Sequence, residues 1–253
     1  MKEYLIRRIE GQKGVGWTMK KRHPVRKTIC VLLILMLCAA MSVGIFYGVK
    51  GYQMYQDAIS LSSIEDRVDK IRGEEDFTKY SEMTDFYINA VISVEDHRFR
   101  EHKGIDLIAL CRAFWADIRS MSFREGGSTI TQQLAKNLLF TQDKNLERKA
   151  AEVFAVMEIE AEYSKEEIFE LYVNTASFGS GYEGIYAAST GYFGKIPSEL
   201  TDYEAVVLAG VPNAPSVYAP GVDEGLVSLR AQQVLRSMVR NEVITQAEMD
   251  GMM

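Results

Sequence analysis

Residues 28 to 49 read TICVLLILMLCAAMSVGIFYGV, 22 positions without a charge. As an α-helix such a run rises about 33 Å, against a hydrocarbon core of about 30 Å. The segment is therefore read as a membrane-spanning helix. A cleaved signal peptide competes with that reading, with Ala39-Ala40-Met41 imitating a cleavage site, but the apolar part of such a peptide runs only about 7 to 15 residues. A buried soluble helix fits less well, since such helices are seldom apolar all round. Residues 1 to 27 carry nine Lys or Arg against Glu3 and Glu10, a net +7, and the chain's total of −6 leaves −13 for everything else. Positive charge favours the cytoplasmic side, which places the head there and all that follows residue 50 outside the cytoplasm, on a single-pass membrane protein. A remainder this acidic lacks the basic footprint of nucleic-acid binding, and no nucleic-acid partner is expected.

The 253 residues, 47% hydrophobic and 25% charged, have an ordinary globular composition. Residues 50 to 81 are polar, charged and free of proline, and are read as a stalk or linker between the membrane and a domain at 82 to 253. From residue 85 on the apolar pattern is helical: 85–95, 105–120, 129–140, 146–163, 165–174, 183–192, 201–211 and 225–240. Ser164 with Glu167 and Thr201 with Glu204 have capping-box spacing, in which hydroxyl and carboxylate satisfy helix-end amides reciprocally. Strand-like alternation is scarce, so a mainly α domain is predicted. Residues 119 to 127, ending in Gly126 and Gly127, are read as a flap from their glycine content. Cys30 and Cys38 fall within the span, leaving Cys111 alone outside it; in IALCRAFW it is expected to be a buried small hydrophobe. His97 and His102 signal no third metal ligand, and no firm metal site is predicted.

Three segments carry chemistry. EDHRFREHKG at 95–104 sets Glu95 and Asp96 at the end of the apolar NAVISV. Desolvation there raises a glutamate pKa and makes the carboxylate useful for proton transfer near neutral pH; a solvated, charged helix end is the plain alternative. GGSTITQQLAKN at 126–137 opens a helix carrying Gln132, Gln133, Lys136 and Asn137. Spacing of four puts Gln132 with Lys136 and Gln133 with Asn137 on adjoining strips, a donor face suited to an anionic or sugar ligand. RKAAE at 148–152 brings Arg148, Lys149 and Glu152 to one helix face, either as an ordinary helical ion pair or, with Lys144, as a basic cluster in an acidic domain that suits a phosphorylated substrate.

In this order the segments resemble the family 51 peptidoglycan glycosyltransferases, the monofunctional transglycosylases and the N-terminal halves of class A penicillin-binding proteins. The family pattern EDxxFxxHxG is met by Glu95, Asp96, Phe99, His102 and Gly104; GGSTITQQLAKN stands unbroken; RKxxE is met by Arg148, Lys149 and Glu152. KEEIFELYVN at 165–174 and RAQQVLRSM at 230–238 look like the fourth and fifth motifs, and the likeness covers about residues 80 to 240. The resemblance implies a lysozyme-like fold and polymerisation of lipid II, with Glu95 as general base on the acceptor's 4-hydroxyl and Glu152 assisting the departing group. It also implies substrate contacts from Asp96, Phe99, His102, Ser128, Thr129, Gln132, Gln133 and Asn137, and neutralisation of pyrophosphate by Lys136, Lys144, Arg148 and Lys149. No cofactor is required, although Mg2+ or Mn2+ bridging the pyrophosphate near Glu95 fits the chemistry of phosphate oxygens. Expected partners are lipid II, the growing lipid-linked glycan, the membrane and cell-wall synthesis proteins. The fourth and fifth motifs are read as structural, with Arg230 pairing a carboxylate.

A membrane-anchored muramidase needs the same two carboxylates, but the cations at 136 to 149 serve a pyrophosphate leaving group rather than a neutral glycosidic bond. A noncatalytic cell-wall scaffold has no use for both Glu95 and Glu152. No SxxK-type module follows the last motif, so the chain either makes glycan strands only or belongs with a C-terminal transpeptidase. A helix start at Thr245 with Glu248 favours the second.

Overall fold

The computed structural model describes residues 24–120, 127–140 and 145–253. The basic head up to residue 23, most of the glycine-containing flap and Lys144 lie outside the described residues. The chain divides into two units between Ile45 and Phe46. The described residues of the first belong to helix α1 (Pro24–Leu61). Between Ile29 and Val49 its large apolar side chains are 51 to 65% exposed. The helix is long and apolar enough to cross a membrane, and a surface apolar on every side suits hydrocarbon rather than water.

In the second unit, the apolar helix runs on to Leu61, and residues 51 to 81 also pack onto the domain. Tyr55 is 6% exposed; it stacks on Phe154 and its hydroxyl donates to Glu158. Helix α2 (Ile64–Arg72) starts from a Ser63–Asp66 capping box and buries Ile64 and Val68 completely or nearly so. The few apolar residues of this polar stretch are spaced to point one way, and a low overall hydropathy concealed them.

Each of the eight helices expected from residue 85 on forms to within two residues of its range, and two more, at 215–218 and 246–252, join them. They are α3 (Asp85–Glu95), α4 (Leu107–Ser120), α5 (Ile130–Leu139), α6 (Leu146–Glu162), α7 (Lys165–Thr175), α8 (Ile185–Phe193), α9 (Asp202–Gly210), the one-turn α10 (Pro215–Tyr218), α11 (Glu224–Arg240) and α12 (Gln246–Met252). Both anticipated capping boxes form, at α7 and α9. Among the described residues the only β pairing is an isolated bridge between Ser177 and Glu183. Helices α3, α9 and α11 pack on one another as one group, and α5, α6 and α7 as a second. Apolar side chains from both groups, among them Tyr87, Ile130, Phe169, Leu208 and Val234, form a single core. Glu95 ends α3 at the seam where the groups meet.

Cys111 departs from expectation: it is exposed, as are Leu107, Ile108, Leu110 and Trp115. Helical spacing marks an apolar face on α4, but periodicity does not say whether a neighbour covers it.

Arg67 locks the lower end of the site helix. Its guanidinium donates to Leu138 O at 2.8 Å, Ser62 O at 3.2 Å and Ala58 O at 3.3 Å, gathering the end carbonyls of α5 and α1. Helix ends leave such carbonyls without intrahelical partners. Replacing Arg67 by Ala is expected to destabilise the protein by about 2 kcal/mol, with Lys recovering only part because it lacks the planar fork. Thermal unfolding of the full chain followed by circular dichroism checks this; an unchanged midpoint would refute it.

Candidate active site

Asp96 holds the two helical groups in register. Its carboxylate accepts from Ile130 N, the first amide of α5, at 3.1 Å, and faces His102 Nε2 at 2.9 and 3.0 Å. A carboxylate at a helix N-terminus satisfies an amide that has no partner within the helix and meets the positive end of the dipole. Thr129 caps the same helix in a box with Gln132 and donates its hydroxyl to Gly104 O at 2.5 Å. Gly104 has φ +79°, and a Cβ there would meet Val156 Cγ1 at 2.3 Å, so only glycine fits. Phe99 is 1% exposed, packs against Phe169 and carries Lys165 Nζ 4.6 Å above its ring. Asp96, Phe99, His102, Thr129 and Gln132 thus shape the loop and the helix start, and of these Asp96 and Thr129 also line the cavity beside Glu95.

Glu95 occupies the seam those residues create. Its side chain is 8% exposed. Gln133 Nε2 donates to Oε2 at 2.7 Å, and Arg230 Nη2 lies 3.4 Å from Oε1. Burial pushes the Glu95 carboxyl above the usual glutamate range; Gln133, Arg230 and Lys136 pull it back, while the neighbouring Asp96 charge adds to the rise. Beneath it, the buried Tyr172 hydroxyl donates to Gln133 Oε1 at 3.3 Å and so orients the amide. A cavity of about 570 Å³ opens beside Glu95, lined also by His97, Arg112, Ser128 and Asn241.

One turn beyond Gln133, Lys136 lies within electrostatic reach of both Glu95 and Glu152. It is half-buried and, among the described residues, makes no hydrogen bond or ion pair. Burial lowers its pKa first, and the charges of Arg148 and Lys149 lower it further, against the opposing pull of Glu152 and Glu95. Asn137 instead turns to Thr175 O at 3.1 Å, tying α5 to α7. Glu152 on α6 is fully buried; Lys149 Nζ reaches it at 2.7 Å and Arg148 Nε lies at 3.1 Å. Lys149 also donates to Ser128 Oγ at 2.9 Å. A buried carboxylate thus holds two cations in place beside a third.

The donor set does not suit a protein-held divalent cation. Among the described residues no three carboxylate, imidazole or thiol groups converge. Asp96 is committed to His102 and Ile130, and Glu95 is flanked by Arg230 and Lys136. Sequence reading placed Arg230 in a structural pairing without naming the partner, and passed over Arg112 and Asn241. The Arg230–Glu95 contact spans 135 positions, and no local spacing signals it.

A family model described as transglycosylase matches residues 64–239. Penicillin-binding protein 2D of Bacillus subtilis is 41% identical over 169 residues, 67% of this chain and 24% of that protein. Penicillin-binding protein 1F of the same organism is 50% identical over 131 residues, 52% of this chain and 18% of that protein. Penicillin-binding protein 1A of Neisseria lactamica is 38% identical over 202 residues, 78% of this chain and 25% of that protein. The chain spans a quarter or less of the length of these relatives. The family match begins at Ile64, inside the segment first read as a stalk, and it ends within α11, so it takes in both helical groups and the seam between them. The chain belongs to the transglycosylase family, the family 51 glycosyltransferases that its motifs resemble.

Proposed function

We propose that this chain is a peptidoglycan glycosyltransferase that polymerises lipid II into β-1,4-linked glycan strands. The acceptor's N-acetylglucosamine 4-hydroxyl gives its proton to Glu95. The oxygen attacks the anomeric carbon of the donor's N-acetylmuramic acid, inverting it as the bond to undecaprenyl pyrophosphate breaks. Lys136, Arg148 and Lys149 take up the charge that grows on the leaving group, the place where fixed cations lower a barrier most. Glu152 acts through the cations it holds. Binding both sugars in one groove converts the encounter into an intramolecular step. A divalent cation, on this reading, belongs to the substrate's pyrophosphate and not to the protein.

The observation that carries the proposal is Lys136: a half-buried ammonium with no hydrogen-bond or ion-pair partner among the described residues, on the same helix face as the residue that grips Glu95. An unpaired buried charge costs stability, and an anionic ligand repays it. A muramidase cutting a neutral glycosidic bond has no such anion to bind. Helix α1 anchors the enzyme where its lipid substrate resides, with the basic head cytoplasmic and the catalytic unit outside, in reach of cell-wall synthesis partners.

Full-length protein in detergent, given radiolabelled lipid II, is expected to yield polymer on gels rather than cleaved oligomers. Glu95→Gln is expected to abolish polymer while melting within a few degrees of wild type; wild-type rates in that variant remove the base assignment. Because the base works only when ionised and its pKa is raised, kcat is expected to fall on the acidic side at a pH above the ordinary glutamate range. An acidic limb at the usual carboxylate pKa refutes this. Lys136→Ala is expected to raise the donor KM about tenfold or more while leaving the melting point equal or higher. Unchanged donor affinity counts against the phosphate role.

A further inference from the structure

We propose that Arg230 is a positioning residue for the reaction, which with Gln133 clamps the Glu95 carboxylate from two sides and presents it to the acceptor hydroxyl. The inference rests on the reading of Glu95 as the base and deepens it.

Arg230 is itself held at every polar atom. Its Nε donates to Gly210 O at 3.1 Å, where α9 ends, and its Nη1 donates to Gln233 Oε1 at 3.2 Å. The guanidinium carbon lies 5.5 Å from the centre of the Tyr218 ring, within cation–π range. What remains, Nη2, lies 3.4 Å from Glu95 Oε1. The side chain is 12% exposed, so this geometry is set by packing and not by solvent.

Gly210 is a second, independent sign that the arm is built for this reach. Its φ of −82° is open to any residue, so the backbone does not call for glycine. Space does: a Cβ at 210 would lie 2.8 Å from Arg230 Cγ and 3.4 Å from Val234 Cγ2. The stem of Arg230 passes to Glu95 through room that any larger residue would take.

The two contacts divide the carboxylate. Gln133, itself braced by Tyr172, takes Oε2 at 2.7 Å, and Arg230 flanks Oε1 from the opposite helical group. A bidentate guanidinium pair would consume both oxygens and quench their basicity. A single long contact supplies charge and direction while leaving lone pairs on Oε1 for the incoming proton. The other groups facing Glu95 are Asp96 beside it, Tyr87 on α3, Lys136 on α5 and Tyr172 on α7. Of the cations among these described groups, Arg230 alone comes from the α11 side.

Arg230→Gln, Arg230→Lys and Gly210→Ala are to be compared with wild type in the full chain with lipid II. Arg230→Gln is expected to lower kcat about tenfold or more with little change in KM, and to move the acidic limb of the kcat profile upward by about one unit, so that activity partly returns at higher pH. Arg230→Lys is expected to recover part of both. Gly210→Ala, which keeps the charge but obstructs its arm, is expected to lower kcat with the fold retained. A loss in Arg230→Gln that is equal at every pH, or no recovery by Lys, overturns the proposal. Should Arg230→Gln fail to fold, Gly210→Ala decides, and a wild-type kcat there overturns it. A 13C-NMR titration of the Glu95 carboxyl, assigned with Glu95→Gln, reads the same displacement without turnover; an unmoved titration in Arg230→Gln also overturns it. Absence of polymer with the wild-type chain defeats the proposed function instead, and leaves the NMR outcome to judge Arg230.

Discussion

A carboxylate buried where two groups of helices meet needs partners from both. Glu95 ends α3, and water reaches little of it. Burial disfavours its charge, and an amide donor from α5, a guanidinium from α11 and the field of Lys136, one turn farther along α5, oppose that. Each partner is worth little if its helix slides by an ångström, since hydrogen bonds and ion pairs weaken steeply with misalignment. The rest of the unit serves that alignment. Asp96, next in the chain, fastens the first turn of α5 through Ile130 N, and Thr129 fastens it again to Gly104. At its other end Arg67 joins α5 to α1.

On α6 the charges are reversed. Glu152 is sealed inside α6 and faces two cations, so that Arg148 and Lys149 are fixed before any ligand arrives. Breaking such a pair by removing one member leaves an uncompensated buried charge, which makes the arrangement rigid. Lys136 adds a third positive charge and makes no ion pair among the described residues. In the proposed chemistry cations fixed in this way need no reordering, and preorganisation replaces solvent reorganisation during the reaction.

Much of this was legible in the chain. Helix limits followed from the apolar period and from caps such as Ser164–Glu167, because both act within four residues. The polar face of α5 was also visible, but not its division of labour. Gln132 goes to the cap, Gln133 to Glu95, Asn137 to Thr175, and only Lys136 is left over. Asp96, Phe99 and His102 stood beside Glu95 in one motif, and the sequence did not show that Asp96 and His102 pair with each other or that Phe99 packs on Phe169. Residues 51 to 81 looked like a spacer because their apolar positions are few, and Cys111 looked buried because its neighbours are apolar. In both cases the missing fact was which neighbour covers the helix face.

The sequence by itself determined the long apolar helix, the helical class of the domain and the motifs that carry Glu95, Lys136, Arg148 and Lys149, since these depend on hydropathy, short-range periodicity and motif order. Tertiary structure alone decided which polar groups are spent on one another and which remain for a ligand. The two contacts that hold Glu95 join residues 38 and 135 positions apart, and whether a side chain there finds a partner depends on the packing of whole helices, which no local pattern encodes.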